Sequence, residues 1–151
     1  MRQLEHVTEI QAPAATVWQV LTATEQYHQW NPFIPSLLGA LRVGQRLTVT
    51  IRAGRRTMRF RPIVATLDEG AVIRWRGRLG LPGLFDGEHE LRVEATGPGT
   101  SRFTQRECFR GVLVPLMGRI LDDTDAGFAA MNAALEARAR SRMARASTPA
   151  G

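Results

Sequence analysis

The sequence predicts an α+β domain in which a curved antiparallel sheet of six to seven strands wraps round one long C-terminal helix. Three observations predict it. From about residue 36 to residue 110 the apolar residues alternate with period two, the mark of strands with one buried face. After Gly111 the period changes to three or four and stays there for more than twenty residues, the mark of one long amphipathic helix. Between the first strand and the rest lie two short helical stretches, too small to form a layer of their own. A chain of 151 residues suits one core and is short for two, so residues 1–145 are expected to form a single domain and 146–151 a disordered tail.

The elements follow in order. Residues 3–11 read as a strand with Leu4, His6, Thr8 and Ile10 on one face. Pro13 suits the start of a helix, where its missing N–H loses no bond, and AATVWQVLT places Val17, Val20 and Leu21 on one stripe beside Trp18. TEQYHQWNPF predicts a second short helix, stopped by Pro32. IPSLLGALRV reads as a strand running to a turn at Gly44, and RLTVTIRA as a strand with Leu47, Val49 and Ile51 inward. TMRFRPIVATLD reads as one longer strand with Met58 and Phe60 inward, bent or bulged at Pro62, which cannot donate to a ladder. AVIRWRGRL turns Ile73 and Trp75 inward and Arg74, Arg76 and Arg78 outward, and GLPGLFDG reads as a loop. The last helix carries Leu113, Met117, Ile120 or Leu121, Thr124, Phe128, Met131 and Leu135 on one broad apolar face, which must cover the inner face of the sheet.

The segment DGEHELRVEATGPGTSRFTQRECFRG holds the most informative detail. It predicts a hairpin with Phe85, His89, Leu91 and Val93 inward on one arm and Phe103, Gln105, Glu107 and Phe109 inward on the other. Opposed residues must face the same way, so a loop of Gly97-Pro98-Gly99 sets Val93 against Phe103, Leu91 against Gln105 and His89 against Glu107. A core face therefore carries a histidine, a glutamine and a glutamate in one cluster, with His6 and Thr8 as further members from the first strand. An unpaired carboxylate buried there would cost several kcal/mol, whereas a His–Glu pair satisfies both partners. Three roles are open for His89 and Glu107: a structural tie between strands, a polar patch that orients a ligand in an apolar cavity, or a general acid/base pair.

The totals exclude several classes. Apolar residues make up 44% of the chain, enough for a core, yet no run approaches the roughly 18 apolar residues of a membrane span. The start MRQLEHVTEI has no apolar signal region, so a cytoplasmic location is expected. Cys108 is the single cysteine and alternates onto the solvent face, so no internal disulfide can form. No histidine, cysteine or carboxylate spacing suggests a metal and no glycine-rich loop a phosphate, and no cofactor is expected. The net charge is +6, and all 20 basic residues are arginine. Arg52, Arg59, Arg61, Arg74, Arg76, Arg92, Arg102, Arg106 and Arg110 alternate onto the outer sheet face, which could serve as an interaction platform. No aromatic residues interleave with them for stacking, which argues against nucleic acid.

The order and spacing of several motifs resemble the START-related helix-grip (SRPBCC) superfamily, in particular its bacterial polyketide cyclase/dehydrase-like branch. The carriers are I-x-A-P-x-x-x-V-W from Ile10 to Trp18, Y-x-x-W-N-P-F from Tyr27 to Phe33, and G-x-x-L-x-V from Gly44 to Val49. They continue with F-x-P and I-x-W between Phe60 and Trp75, F-x-G-x-H from Phe85 to His89, and F-x-Q-x-E-x-F-x-G from Phe103 to Gly111. The match spans about residues 3–140. It implies the helix-grip fold and a cavity between sheet and C-terminal helix for a hydrophobic or amphipathic molecule of lipid, polyketide or aromatic type. The ligand-binding candidates are Trp30, Phe33, Phe60, Trp75, Phe85, Leu91, Phe103, Gln105, Phe109, Met117, Leu121 and Phe128. The alternative implied is a cyclase/aromatase-like enzyme using His89 and Glu107. The fold alone does not choose between them. The expected partner is a hydrophobic small molecule, and the oligomeric state is open between monomer and homodimer.

Overall fold

The computed structural model describes residues 1–148. The first strand, β1 (Arg2–Ile10), leads into α1 (Ala14–Thr22), a 3-10 turn (Thr24–Gln26) and α2 (Tyr27–Trp30). Seven strands follow: β2 (Ser36–Leu38), β3 (Thr48–Ala53), β4 (Arg56–Phe60), β5 (Ile63–Asp68), β6 (Val72–Leu79), β7 (Phe85–Gly97) and β8 (Thr100–Arg110). A second 3-10 turn (Val114–Met117) precedes α3 (Gly118–Ala146). This is the expected α+β helix-grip arrangement, with eight strands where six to seven were expected.

The count differs because Pro62 does more than bend a strand. The expected single strand over residues 57–68 is split: β4 pairs with β3, while β5 pairs with β6. The strands therefore fall into a five-stranded set, β1-β8-β7-β6-β5, and a three-stranded set, β2-β3-β4. The ladder nevertheless crosses the break. Leu47 N donates to Pro62 O (2.8 Å), Gly44 N to Val64 O (2.9 Å) and Val64 N to Gln45 O (2.9 Å). Proline still accepts through its carbonyl, so the chain on its other flank keeps pairing and the two sets join as one curved surface. The expected strand over residues 34–43 shrinks to Ser36–Leu38.

The β7–β8 register is the expected one: His89 opposes Glu107, Leu91 opposes Gln105 and Val93 opposes Phe103. The turn is tighter than expected. Gly97 pairs with Thr100, and a bulge between Ala95 and Gly97 absorbs the odd residue.

Helix α3 buries Leu121, Thr124, Phe128, Met131, Asn132, Leu135 and Ala139, a stripe at helical spacing. It begins later than the periodicity suggested, because the Val114–Met117 segment forms a 3-10 turn around Pro115. Strand β1 holds α3 by polar contacts. Arg2 Nη2 donates to Asp122 Oδ1 (2.7 Å), His6 Nε2 lies 2.9 Å from Asp125 Oδ1, and Asn132 Nδ2 donates to Thr8 Oγ1 (3.0 Å). His6 and Thr8 thus pair with the helix rather than joining the His89 cluster, and Asp122 and Asp125 of α3 are matched from the first strand. At the far end Ser147 and Thr148 bond back to the carbonyls of Met143 and Ala144. The remainder of the expected tail, 149–151, lies outside the described residues.

Candidate functional site

The interface between sheet and helix has two ends. Around the middle and later turns of α3 it is solid. Phe128 is fully buried, edge-on to Phe33 and to His89 with ring centroids 5.3 Å apart in each case. Leu91, Phe103, Gln105, Met131 and Leu135 are also fully buried. Around the first turn of α3 the two layers part and leave a cavity of about 150 Å³.

The cavity walls come from every neighbouring element. Val49 and Ile51 come from β3, Met58, Arg59 and Phe60 from β4, and Trp75, Gly77, Arg78 and Leu79 from β6. Phe85, Gly87 and His89 come from β7, and Glu107 and Phe109 from β8. Met117, Ile120, Leu121 and Thr124 form the helical wall, and Pro62 closes one side. Period-two alternation explains why Phe85, Gly87 and His89 share a wall with the opposed Glu107 and Phe109. Two glycines make the space: Gly77 and Gly87 are register partners, so two inward positions lack side chains. A β-carbon on Gly87 would sit 3.1 Å from Glu107 Oε1, so the glycine gives that carboxylate its place.

The polar cluster sits at the boundary between the two ends. His89 is 2% exposed, and its ring stacks parallel on Trp75, with centroids 4.8 Å apart and planes 3° from parallel. Its Nδ1 lies 3.1 Å from Glu107 Oε2, and its Nε2 lies 3.3 Å from the Gln105 amide nitrogen. With the Gln105 amide donating to Nε2, the imidazole carries its proton on Nδ1 and donates it to Glu107. Gln105 Nε2 also approaches Met131 Sδ (3.5 Å), while its buried Oε1 has no partner among the described residues. The histidine is therefore held on both nitrogens and on one face. Glu107, at the cavity end of the chain Gln105–His89–Glu107, keeps Oε1 free of protein hydrogen bonds among the described residues.

Of the expected ligand-contacting residues, Phe60, Trp75, Phe85, Phe109, Met117 and Leu121 line the cavity together with His89 and Glu107. Phe33, Leu91, Phe103, Gln105 and Phe128 do not; they are solid core, and Gln105 reaches the site only through His89. Trp30 packs edge-on against Tyr27 (5.2 Å) away from the cavity, and Asn31 caps the next turn by accepting from Phe33 N and Ile34 N. The segment Trp30–Phe33 (WNPF) is thus a packed plug. Sequence reasoning missed Gly77 and Gly87 as site-forming positions. The signal was present: a glycine at an inward position of a strand marks missing volume. Arg59 and Arg78, expected to face outward, reach the cavity rim instead.

The outer sheet face is a lattice of ion pairs. Arg102 Nε bonds Glu9 (2.6 Å), Arg106 Nε bonds Glu5 (2.5 Å), Arg76 bonds Glu88, and Glu90 takes hydrogen bonds from both Arg74 and Arg92. Burial pushes the Glu90 carboxyl up, but the bonds from Arg74 and Arg92 outweigh it and hold it below the usual carboxylate range. Five arginines of the outer face are thus matched by glutamates. Among the described residues no group of three or more metal-ligating side chains comes together, and no helix is long and apolar enough to cross a membrane.

The family model for polyketide cyclase / dehydrase and lipid transport proteins matches residues 1–146. The chain belongs to that family. Solved structures share its fold. The Zhui aromatase/cyclase from Streptomyces sp. R1128 superposes with a TM-score of 0.81 at 17% identity, covering 98% of this chain and 99% of that one. A START superfamily protein from Mycobacterium smegmatis gives 0.71 at 20% identity, covering 92% and 97%. A norcoclaurine synthase point mutant from Thalictrum flavum, solved with a transition-state analogue, gives 0.68 at 18% identity, covering 94% and 96%. No curated protein matches the chain by sequence. Membership of this family points to a ligand-binding or cyclase role.

Proposed function

We propose that this family member binds the apolar portion of a hydrophobic or amphipathic small molecule in the cavity beside the first turn of α3. The carrying observation is the combination of a mostly apolar lining with one inward carboxylate, Glu107, braced by His89. A space of about 150 Å³ accepts a group of about the size of one aromatic ring without rearrangement. A longer ligand keeps its remainder at the rim, near Arg59 and Arg78. Glu107 Oε1 then selects a ligand group that donates a hydrogen bond, such as a phenol or enol, because an apolar pocket gains specificity from a few placed polar atoms.

Native mass spectrometry of gently purified protein, followed by extraction of whatever is bound, tests this directly. A stoichiometric added mass that disappears in a Gly87→Leu variant, which fills the cavity, supports the reading. Protein that binds neither a co-purified molecule nor added aromatic or acyl probes overturns it.

A second reading, a cyclase/aromatase-like enzyme, is favoured by one specific observation: the carboxylate in the cavity is oriented by a buried imidazole. In such a reaction Glu107 takes a proton from a methylene flanked by carbonyls. The enolate carbon closes on a second carbonyl of the same chain, and the proton passes to the new alkoxide. His89, engaged on both nitrogens, acts as the positioning residue for Glu107. Turnover of the extracted ligand by wild type, lost in Glu107→Gln with binding retained, identifies the enzyme. Binding with no turnover by wild type leaves a carrier.

A further inference from the structure

The rim of the cavity mouth exposes large apolar side chains that no described residue covers. Leu79 is 50% exposed, Leu81 72%, Val112 71% and Leu116 81%. Leu79 ends β6, Leu81 lies between β6 and β7, and Val112 and Leu116 lie between β8 and α3; the two connections are stitched into one rim. Val112 N donates to Gly83 O and Leu113 N to Leu84 O, both at 3.1 Å. Gly111 takes a φ of +126°, and a β-carbon there would collide with the Leu84 carbonyl, so the close approach of the loops depends on glycine. The apolar side chains thus project from a braced platform.

The rim is also basic. Arg78 and Arg110 flank it on the sheet, and Arg119 flanks it on the first turn of α3; all three are exposed. Asp86 is the acid between the first two, opposed in register to both. It also accepts from Gly83 N (2.9 Å), holding the loop. Leu79 and Arg78 line the cavity itself, so the platform borders the mouth. Apolar tips ringed by arginine, with the opening of an apolar cavity between them, match a surface that is anionic outside and hydrocarbon inside.

We propose that this rim docks the protein transiently on anionic lipid membranes, with Leu81 and Leu116 entering the headgroup–acyl boundary. The arginines supply the electrostatic attraction, which falls off with salt. Docking places the cavity mouth against the bilayer, where a hydrophobic ligand partitions. The proposal rests on the cavity reading above for its purpose, but not for its measurement.

Sedimentation of the 151-residue protein with phosphatidylcholine vesicles, with and without phosphatidylglycerol, tests it. The expected result is binding to the phosphatidylglycerol vesicles that added salt reverses and that is weaker on phosphatidylcholine alone. Leu81→Asp with Leu116→Asp is expected to weaken partitioning roughly tenfold or more. Neither residue lines the cavity, so the same variant keeps its thermal midpoint and its binding of 1-anilinonaphthalene-8-sulfonate in vesicle-free solution. Arg110→Gln with Arg119→Gln is expected to remove the preference for phosphatidylglycerol. No binding to either vesicle, or binding that the double aspartate variant leaves intact, overturns the proposal. So does concentration-dependent dimerisation of wild type that the variant abolishes while vesicles are ignored, which would make the rim a contact between two copies. Vesicle binding through the rim by a protein that takes up no apolar probe upholds docking and overturns the cavity reading.

Discussion

The two ends of the sheet–helix interface are built from the same strands by the same alternation, yet one is solid and the other hollow. At the solid end Phe128 of α3 meets Phe33, His89 and the edge of His6 at 6.1 Å. At the hollow end the facing strand positions are Gly77 and Gly87, and the helix gives way to a 3-10 turn at Val114–Met117. The difference teaches that a binding cavity here needs no special walls. It needs aromatics at one end to hold the layers apart and glycines at the other to leave the gap. The Trp75–His89 stack marks the frontier, buried like core on one side and facing the cavity on the other.

Mutations at the two ends should therefore differ most in their effect on stability. Phe128→Ala is expected to cost about 4 kcal/mol, typical of truncating a fully buried aromatic, whereas Phe60→Ala at the half-buried cavity wall should cost about 1 kcal/mol. Urea denaturation midpoints measure both, and equal costs would break the distinction between solid and hollow ends. Gly127→Ala drives a methyl into the Phe33 ring, so at the solid end it should cost about 2–3 kcal/mol despite alanine's better helix propensity. Gly127 marks where α3 and the WNPF plug touch.

The ion lattice on the outer face belongs to neither end and gives a pH test. Glu90→Gln should cost about 2 kcal/mol at neutral pH by weakening charged hydrogen bonds to Arg74 and Arg92. Because the folded carboxyl titrates below its unfolded value, that stability is present above about pH 4.3 and lost as pH falls towards the folded value. The gap in melting temperature between wild type and variant should therefore hold from neutral pH down to about pH 4.3 and narrow as the pH falls further; a gap that widens on acidification would contradict the direction. The smallest stability effect is expected for Gly87→Ala, under about 1 kcal/mol, because the new methyl meets the tip of Glu107 and ordinary contact with Phe109 at 3.9 Å. Its effect should instead be on binding of an apolar probe followed by fluorescence. A loss of stability without a loss of binding would mean that Gly87 serves packing alone.

Much of this protein was legible in its residues. Alternation alone sets His89 opposite Glu107, because hairpin parity leaves few registers. The helical stripe named Leu121, Thr124, Phe128, Met131 and Leu135 because a buried helix face must repeat with the helix period. The same rules marked Phe60, Trp75, Phe103 and Phe128 alike as inward, and they could go no further. Whether an inward side chain fills the core or walls a cavity depends on what stands across from it, and that is set by long-range packing of α3 against the sheet. Only the tertiary structure decided that Phe103 and Phe128 touch solid core, that Phe60 and Trp75 face a gap, and that Pro62 hands one run of chain from β3 to β6. Only it brought Leu81 and Leu116, 35 positions apart in sequence, onto one rim. Periodicity is a local property of the chain and reports direction; volume is shared among distant segments and is known only when they have packed.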